Sequence, residues 1–344
     1  MVNRMKRRAV VAIALALALL GLFVTAVGWN DVLSAIAQVS LSAYAGAFLG
    51  TLLTFGFRSL VWSRVLTVVD EPRPYWLVLA VFLTGSFVKY VTPYGQVASG
   101  VGVAAIVNRY TDAAYEESLA AVVSADFLNY LPYYTFGAIG ATYVLSGRSV
   151  PVAVQEYVLL LAGLVVAIWL ILGLMWIRRS FIVAGVLQVV LLLRGVVARF
   201  SRSRARSLTR ENVEQRLKGF YTTLDLLSRN RRAMVVALVY AHVAWLGLAG
   251  ALYVTAVAIG VPISIGVALL VVAVSKVGFL LPTPGGLGGV EATLATALFV
   301  LTPMGIALAT ATAILFRFAT YWFTVFVGGT TSVALTVRDP LPPE

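Results

Sequence analysis

The sequence has no cysteine, one histidine (His242) and few charged residues, which make up 12% of its 344 positions. The lack of cysteine excludes disulfide bonds, thiolate chemistry and cysteine metal sites. A single histidine excludes a histidine metal cluster, and no Asp-rich cluster exists, so we expect neither a metal nor a cofactor. Hydrophobic residues make up 60% of the chain, and the mean hydropathy is +0.94. This balance predicts an integral membrane protein.

The net charge of +12 is carried mostly by loops. In a soluble protein it would suggest nucleic acid as a partner. Here it indicates orientation across the membrane and attraction to anionic lipid, so lipids are the expected partners and nucleic acid is not. No feature of the sequence indicates an oligomeric state.

The apolar runs are continuous rather than alternating, which favours helices over a β-barrel. We therefore predict an all-α, multi-pass protein of the plasma membrane with both termini in the cytoplasm, because the strongly basic loops then lie on one side. About six runs are long enough to cross the bilayer: Ala9–Gly28, Ala43–Val65, Ser118–Leu145, Tyr157–Ile177, Ala233–Ile259 and Gly305–Val337. We expect one transmembrane domain over 1–344, with a first half at 1–197, a basic cytoplasmic linker at 198–232 and a second half at 233–344. The linker either sets the topology only or also binds anionic headgroups.

Proline and glycine interrupt the apolar pattern between Ile263–Leu281 and Val290–Leu301, where a helix cannot continue. A break inside hydrocarbon leaves backbone groups unsatisfied unless it is buried in protein or lines a wet cavity. Lys276 and Glu291 flank this break, as is common in transport sites. The alternative is a loop at the membrane surface, with Glu291 capping the next helix.

A second interruption, Thr92-Pro-Tyr-Gly95, lies between the short runs Trp76–Val91 and Val97–Val107, and Lys89 precedes it. It matches the Thr283-Pro-Gly-Gly286 segment of the other break in three of four residues. Corresponding broken segments in two halves are typical of transporter repeats. We therefore predict two re-entrant or broken helical hairpins that form an inverted repeat.

The segment Pro282-Thr-Pro-Gly-Gly-Leu-Gly-Gly-Val-Glu-Ala292 resembles the signature of the lysylphosphatidylglycerol synthase transmembrane-region family, also described as flippase-like integral membrane proteins. Thr92 to Gly100 resembles the first-half motif of that family. An acidic residue and an arginine usually follow the turn there, whereas this chain has Gln96, and Arg109 lies well beyond. The resemblance implies the binding or movement of lipids with charged headgroups. The one polar segment of any length, about 30 residues, is too short for the soluble synthase or glycosyltransferase domains of other members.

Ionisable residues within the apolar runs and glycines of the second break are the candidate substrate-binding residues. They are Arg58, Lys89, Asp126, Lys276, Glu291, Arg317, Gly285, Gly286 and Gly288. Pairing is the usual way in which buried charges are kept, so we expect Asp126 to pair with Lys89 or Arg58, and Glu291 with Lys276 or Arg317. Two cations then remain unmatched, and a lipid phosphate would neutralise them. Free N–H groups of the glycine turn would add further contacts.

The sequence thus predicts a translocase for a lipid or lipid-linked precursor, which binds a charged headgroup at mid-membrane and is not an enzyme. The alternative is a membrane enzyme that acts on phospholipid or prenyl-phosphate-linked substrates. Such enzymes usually need acidic metal ligands or a nucleophile with a base, and the two buried acids are isolated in the sequence.

Overall fold

The computed structural model describes residues 24–70, 72–93, 95, 99–146 and 210–338, with scattered further positions between 18 and 22 and between 152 and 174. Most of the predicted spans Ala9–Gly28 and Tyr157–Ile177 lies outside these residues, as does the linker before residue 210.

Every regular element among the described residues is helical, and two of the helices are joined without a break. The π-helical turn Phe318–Trp322 connects the last two into one helix of 33 residues, Ile306–Arg338. The α-helices are α1 Trp29–Ala37, α2 Leu41–Val69, α3 Tyr75–Val91, α4 Gly100–Tyr110, α5 Tyr115–Leu145, α6 Arg210–Arg229, α7 Arg231–Ala258, α8 Ile265–Val274, α9 Gly289–Leu301, α10 Ile306–Arg317 and α11 Phe323–Arg338.

Four described segments are long and apolar enough to cross a membrane: α2, α7, Pro284–Leu301 and Ile306–Arg338. The helix α3 and the segment Ile265–Leu280 are apolar but shorter. The fold is therefore that of an all-helical, multi-pass membrane protein. Helix α1 is an element that the sequence analysis did not predict. It forms because Val32 and Ala35, three residues apart, are buried on one face.

The structure contains both predicted breaks. The first separates α3 from α4. At the second, α8 tightens into a 3₁₀ helix at Ser275–Leu280, and a further 3₁₀ turn at Pro284–Gly286 precedes α9. Backbone and side chains from Thr283 to Glu291 are buried, so the second break is not a loop at the surface.

Helices α2 and α7 pack antiparallel at the centre of the molecule. The Ser40 amide donates to Ala258 O at one end of the contact (2.8 Å), and the Thr54 hydroxyl donates to Ala244 O further along (3.0 Å). Between them, Gly50 and Gly247 face one another, and their missing side chains allow the two backbones to touch. Small residues at a helix contact have this role in membranes, where the hydrophobic effect does not drive helices together.

Replacing Gly50 with alanine is expected to destabilise the protein by about 1–3 kcal/mol, because the added Cβ would lie 2.6 Å from Gly247 O. The matched control is Gly250→Ala on α7, whose added Cβ meets nothing within 4 Å. The measurement is thermal unfolding of purified protein in detergent. Equal melting temperatures for the two variants would contradict this account of the α2–α7 contact.

Candidate functional site

The second break is held by a buried ion pair between Arg317 at the end of α10 and Glu291 in the first turn of α9. Arg317 Nε donates to Glu291 Oε1 at 2.8 Å, and Arg317 Nη2 donates to Gly285 O at 2.7 Å. The other carboxylate oxygen of Glu291 accepts the Gly288 amide at 2.8 Å. Side-chain exposure is 6% for the arginine and 2% for the glutamate. Of the two partners that the sequence allowed for Glu291, the structure therefore selects Arg317, and Glu291 also caps α9 as the alternative interpretation predicted.

The glycines of the second break are required by backbone conformation and by space. Gly285, Gly286 and Gly288 have φ values of 59°, 68° and 84°, in the region that disfavours side chains. A Cβ on Gly285 would lie only 2.0 Å from the ring of Tyr321. The Gly286 amide donates to Thr283 O, and the Gly288 amide donates to Glu291. These two N–H groups are thus occupied within the break and not directed at a ligand.

The first half contains a second ion pair, between Lys89 near the end of α3 and Asp126 on α5. The Lys89 ammonium also lies 5.3 Å from the ring centroid of Trp62 on α2. Of the two partners that the sequence allowed for Asp126, the structure selects Lys89. The pair links α3, just before the first break, to the long helix α5.

Arg58 and Lys276 are the two candidate cations that take part in neither of these ion pairs. Arg58 Cζ lies 5.9 Å from the ring centroid of Trp245 on α7, and Lys276 Nζ lies 5.2 Å from the same ring and 5.0 Å from that of Phe279. Arg58 Nε is buried and has no hydrogen-bond partner among the residues that the structure describes. Within the described ranges, neither cation has a carboxylate at ion-pair distance.

These cations face an internal cavity between α2, α3, α7 and the second break. One lobe has a cavity volume of about 50 Å³, and Arg58, Lys276 and Arg317 are on its wall. The neighbouring lobe, of about 40 Å³, is lined by Arg58 and Lys276 again, together with Lys89 and Asp126. The two lobes adjoin one another, because they share several wall residues. Five of the candidate residues thus meet at one cavity, whereas Glu291 and the three glycines lie behind its wall.

Aromatic and amide side chains at this cavity were not among the candidates from the sequence. Trp245 lies beside both unmatched cations, and its indole N–H donates to Asn129 O at 2.7 Å. Tyr90, just before the first break, packs against Tyr321 of the π-helical turn, with ring centroids 5.3 Å apart. In the sequence Trp245, Tyr90 and Tyr321 look like ordinary aromatic positions of a span and Asn129 is an isolated amide, so only their placement near the charges distinguishes them.

Two helix breaks, of which the second is buried, ionisable side chains near them and an internal cavity are thus the features of the candidate site. The profile described as "Lysylphosphatidylglycerol synthase TM region" matches residues 9–328. The chain belongs to this family. The matched range contains both breaks and every candidate residue, so the cavity is part of this lysylphosphatidylglycerol synthase transmembrane region. A search of curated proteins gave no match.

Arg317→Gln is expected to destabilise the protein by about 3–5 kcal/mol, because it leaves the Glu291 carboxylate buried without its cation. Adding Glu291→Gln should recover much of this loss, since glutamine is uncharged and can still accept the Gly288 amide. Thermal unfolding of the two single variants and the double variant in detergent gives the coupling free energy.

The control for this cycle is Arg216→Gln, which removes the partner of Glu116 from an ion pair whose arginine side chain is 60% exposed. A change of less than about 1 kcal/mol is expected there. If Arg317→Gln were as mild as this control, the ion pair would not hold the second break in place.

Proposed function

We propose that this protein is a translocase that carries a lipid or lipid-linked precursor across the plasma membrane and binds its anionic headgroup at mid-membrane. The observation that carries the proposal is the pair Arg58 and Lys276, two cations that share an internal cavity and have no carboxylate partner among the described residues. Uncompensated charges in a membrane interior cost several kcal/mol. A phosphate group that enters the cavity offsets this cost, so the site favours an anionic ligand.

We further propose that the two halves form an inverted repeat, and the register of the helices supports this. Adding 191 to a residue number carries Thr92-Pro93 of the first break onto Thr283-Pro284 of the second. The same addition carries Tyr110, the end of α4, onto Leu301, the end of α9. It also carries Tyr115, the start of α5, onto Ile306, the start of α10. One constant offset therefore aligns a break and the two helices after it.

The packing of the helices supports the same relation. The offset of 191 residues carries α3 onto α8 and the 3₁₀ helix after it, and it carries the second half of α5 onto α11. The contact of α3 with α11 therefore corresponds to the contact of α8 with the second half of α5. Gly328 of α11 abuts Leu83 O, and Gly137 of α5, which is 191 residues earlier, abuts the Ala273 methyl group. The antiparallel pair α2 and α7 would contain the pseudo-two-fold axis, near the Thr54–Ala244 hydrogen bond. Two equivalent halves of opposite orientation can exchange conformations, which is the basis of alternating access around a central site.

A membrane enzyme acting on phospholipid or prenyl-phosphate-linked substrates is the alternative function. In the described structure Asp126 and Glu291 are each held by a cation. A carboxylate engaged in this way is a poor general base, because its charge is already stabilised. Translocation needs only binding and conformational change, and we therefore favour it over catalysis.

The proposed orientation places both termini and the basic linker in the cytoplasm. Because the chain contains no cysteine, single cysteines can report this orientation directly. A cysteine at Ser146, after α5, should react with an impermeant maleimide in intact cells, whereas a cysteine at Ser228 on α6 should react only after permeabilisation. The reverse pattern would contradict the proposed orientation.

Transport is tested with purified protein in liposomes that contain a fluorescent anionic phospholipid, quenched from outside with dithionite. The protein should accelerate movement of this lipid between leaflets. Arg58→Gln and Lys276→Gln should each lower the rate about tenfold or more, the effect of losing a charge-assisted contact of roughly 1.4 kcal/mol or more.

The matched control is Arg64→Gln, an exposed arginine on the same helix as Arg58, which should leave the rate unchanged. Each variant is first shown to be folded by its thermal unfolding curve. Wild-type rates in well-folded Arg58→Gln and Lys276→Gln would refute the site. A wild-type protein that moves no lipid would refute the translocase itself.

A further inference from the structure

We infer that the cavity selects a lipid phosphate with two negative charges, a phosphomonoester or a diphosphate, over phosphodiester, zwitterionic and cationic headgroups. This inference names the substrate class of the proposed translocase and rests on that proposal for its transport role. The ligand chemistry itself follows from the charges and donors on the cavity wall.

The charge balance of the cavity is the first argument. The two ion pairs, Lys89 with Asp126 and Arg317 with Glu291, contribute no net charge. Arg58 and Lys276 therefore face one space with a charge of up to +2, which is reached when an anionic ligand stabilises the protonated form of Lys276. A phosphodiester neutralises one of these charges, and a headgroup with its own ammonium neutralises none. A phosphomonoester or diphosphate can neutralise both.

The hydrogen bonds of the wall are the second argument. The wall hydroxyls mostly donate to backbone carbonyls, as Thr54 does to Ala244 and Ser86 does to Phe82. The same holds for Thr51, Ser275 and Thr320. Because each hydroxyl has one proton, these groups have none left for a ligand. Arg58 and Lys276 are thus the cationic donors of the wall that none of the described carboxylates binds, and both suit phosphate oxygens.

The same wall disfavours an ammonium group. A free carboxylate would be the strongest partner for a cationic headgroup, and in the described structure Asp126 and Glu291 are both occupied by cations of the protein. The rings of Trp245 and Phe279 already lie beside Arg58 and Lys276. An aminoacyl ester would also bring its positive charge towards Arg58 and Lys276. Its entry would therefore add repulsion without a new ion pair.

Asn129 of α5 gives an independent indication that a ligand belongs here. Its side chain is 4% exposed and lies on the wall shared with Lys89 and Asp126, yet its Oδ1 has no hydrogen-bond partner in the described part of the chain. A buried amide without a partner costs roughly 1–3 kcal/mol. Its oxygen can accept the P–O–H of a singly protonated phosphomonoester. Rotated by 180°, the amide instead donates to a phosphate oxygen.

The test measures binding to the full-length protein in detergent by calorimetry, with dioctanoyl phosphatidic acid as the probe. Dioctanoyl phosphatidylglycerol, phosphatidylcholine and lysylphosphatidylglycerol share its glycerol-linked acyl chains and differ in headgroup charge. Phosphatidic acid should bind about tenfold or more tightly than phosphatidylglycerol. The other two lipids should bind more weakly than phosphatidylglycerol.

Arg58→Gln and Lys276→Gln should each weaken phosphatidic acid binding by about ten- to a hundredfold. Arg58→Lys, which keeps the charge, should recover part of the loss, and the exposed control Lys218→Gln should change nothing. Asn129→Leu, which removes the unpartnered amide, should weaken binding while the melting temperature holds or rises. Equal or tighter binding of phosphatidylcholine or the lysyl lipid, or no response to the charge variants, would overturn the inference.

The binding experiment and the liposome experiment together test the ligand class and the translocase function separately. Tight, charge-selective binding of phosphatidic acid with no lipid movement in liposomes would overturn the proposed function and leave the ligand class standing. Lipid movement without preference for phosphatidic acid would overturn the ligand class and leave the translocase standing.

Discussion

A helix broken inside apolar surroundings must have its free backbone groups satisfied, and in this protein Arg317 and Glu291 satisfy them at the second break. One guanidinium nitrogen of Arg317 donates to Gly285 O, the carboxylate of Glu291 accepts the Gly288 amide, and the two side chains neutralise each other. Without these contacts, each free backbone group would cost several kcal/mol in hydrocarbon. The position of the last long helix follows from this requirement, because Arg317 has to reach the break from it. The π-helical turn that begins one residue later places Tyr321 against Gly285.

The ion pairs explain why only some of the intramembrane charges remain open to a ligand. Lys89 and Arg317 are each committed to a carboxylate, so their net electrostatic effect on the cavity is small. Arg58 and Lys276 lie beside aromatic faces and, in the part of the chain that the structure describes, have no carboxylate at ion-pair distance. Cation–π contacts offset part of a cation's desolvation without neutralising it. The structure thus divides the cations of the cavity wall into two that are neutralised by a carboxylate and two that are not. Composition alone cannot make that distinction.

The proposed repeat has opposite charges at equivalent positions. Asp126 follows Pro93 by the same number of residues as Arg317 follows Pro284. The long helix thus contributes the acid of one ion pair and the base of the other. In the first half the partner, Lys89, precedes the break, whereas in the second half Glu291 follows it. Related helix positions can therefore be stabilised by pairs of inverted polarity, because an ion pair is neutral whichever helix carries the acid.

Much of the architecture followed from the sequence, because membrane burial imposes simple rules on composition. Long apolar runs predicted helices α2 and α7, and the proline and glycine clusters predicted both breaks. The candidate charges were also found, since ionisable residues in apolar runs are rare enough to be conspicuous. The family resemblance carried by Pro282–Ala292 agrees with the match over residues 9–328.

The tertiary structure decided which of those charges pair and which do not. The sequence allowed two partners for each acid, because helix spacing gives depth along a span but not the direction in which neighbouring helices face. Trp245 and Asn129 acquire a role only when helix packing brings Trp245 of α7 beside Arg58 and Lys276 and brings Asn129 of α5 to the cavity wall. Thus the sequence by itself determined that charges lie within the membrane and near the breaks. The packing of the helices decided that Arg58 and Lys276 remain without a carboxylate from the described ranges, since contacts between distant segments depend on three-dimensional packing.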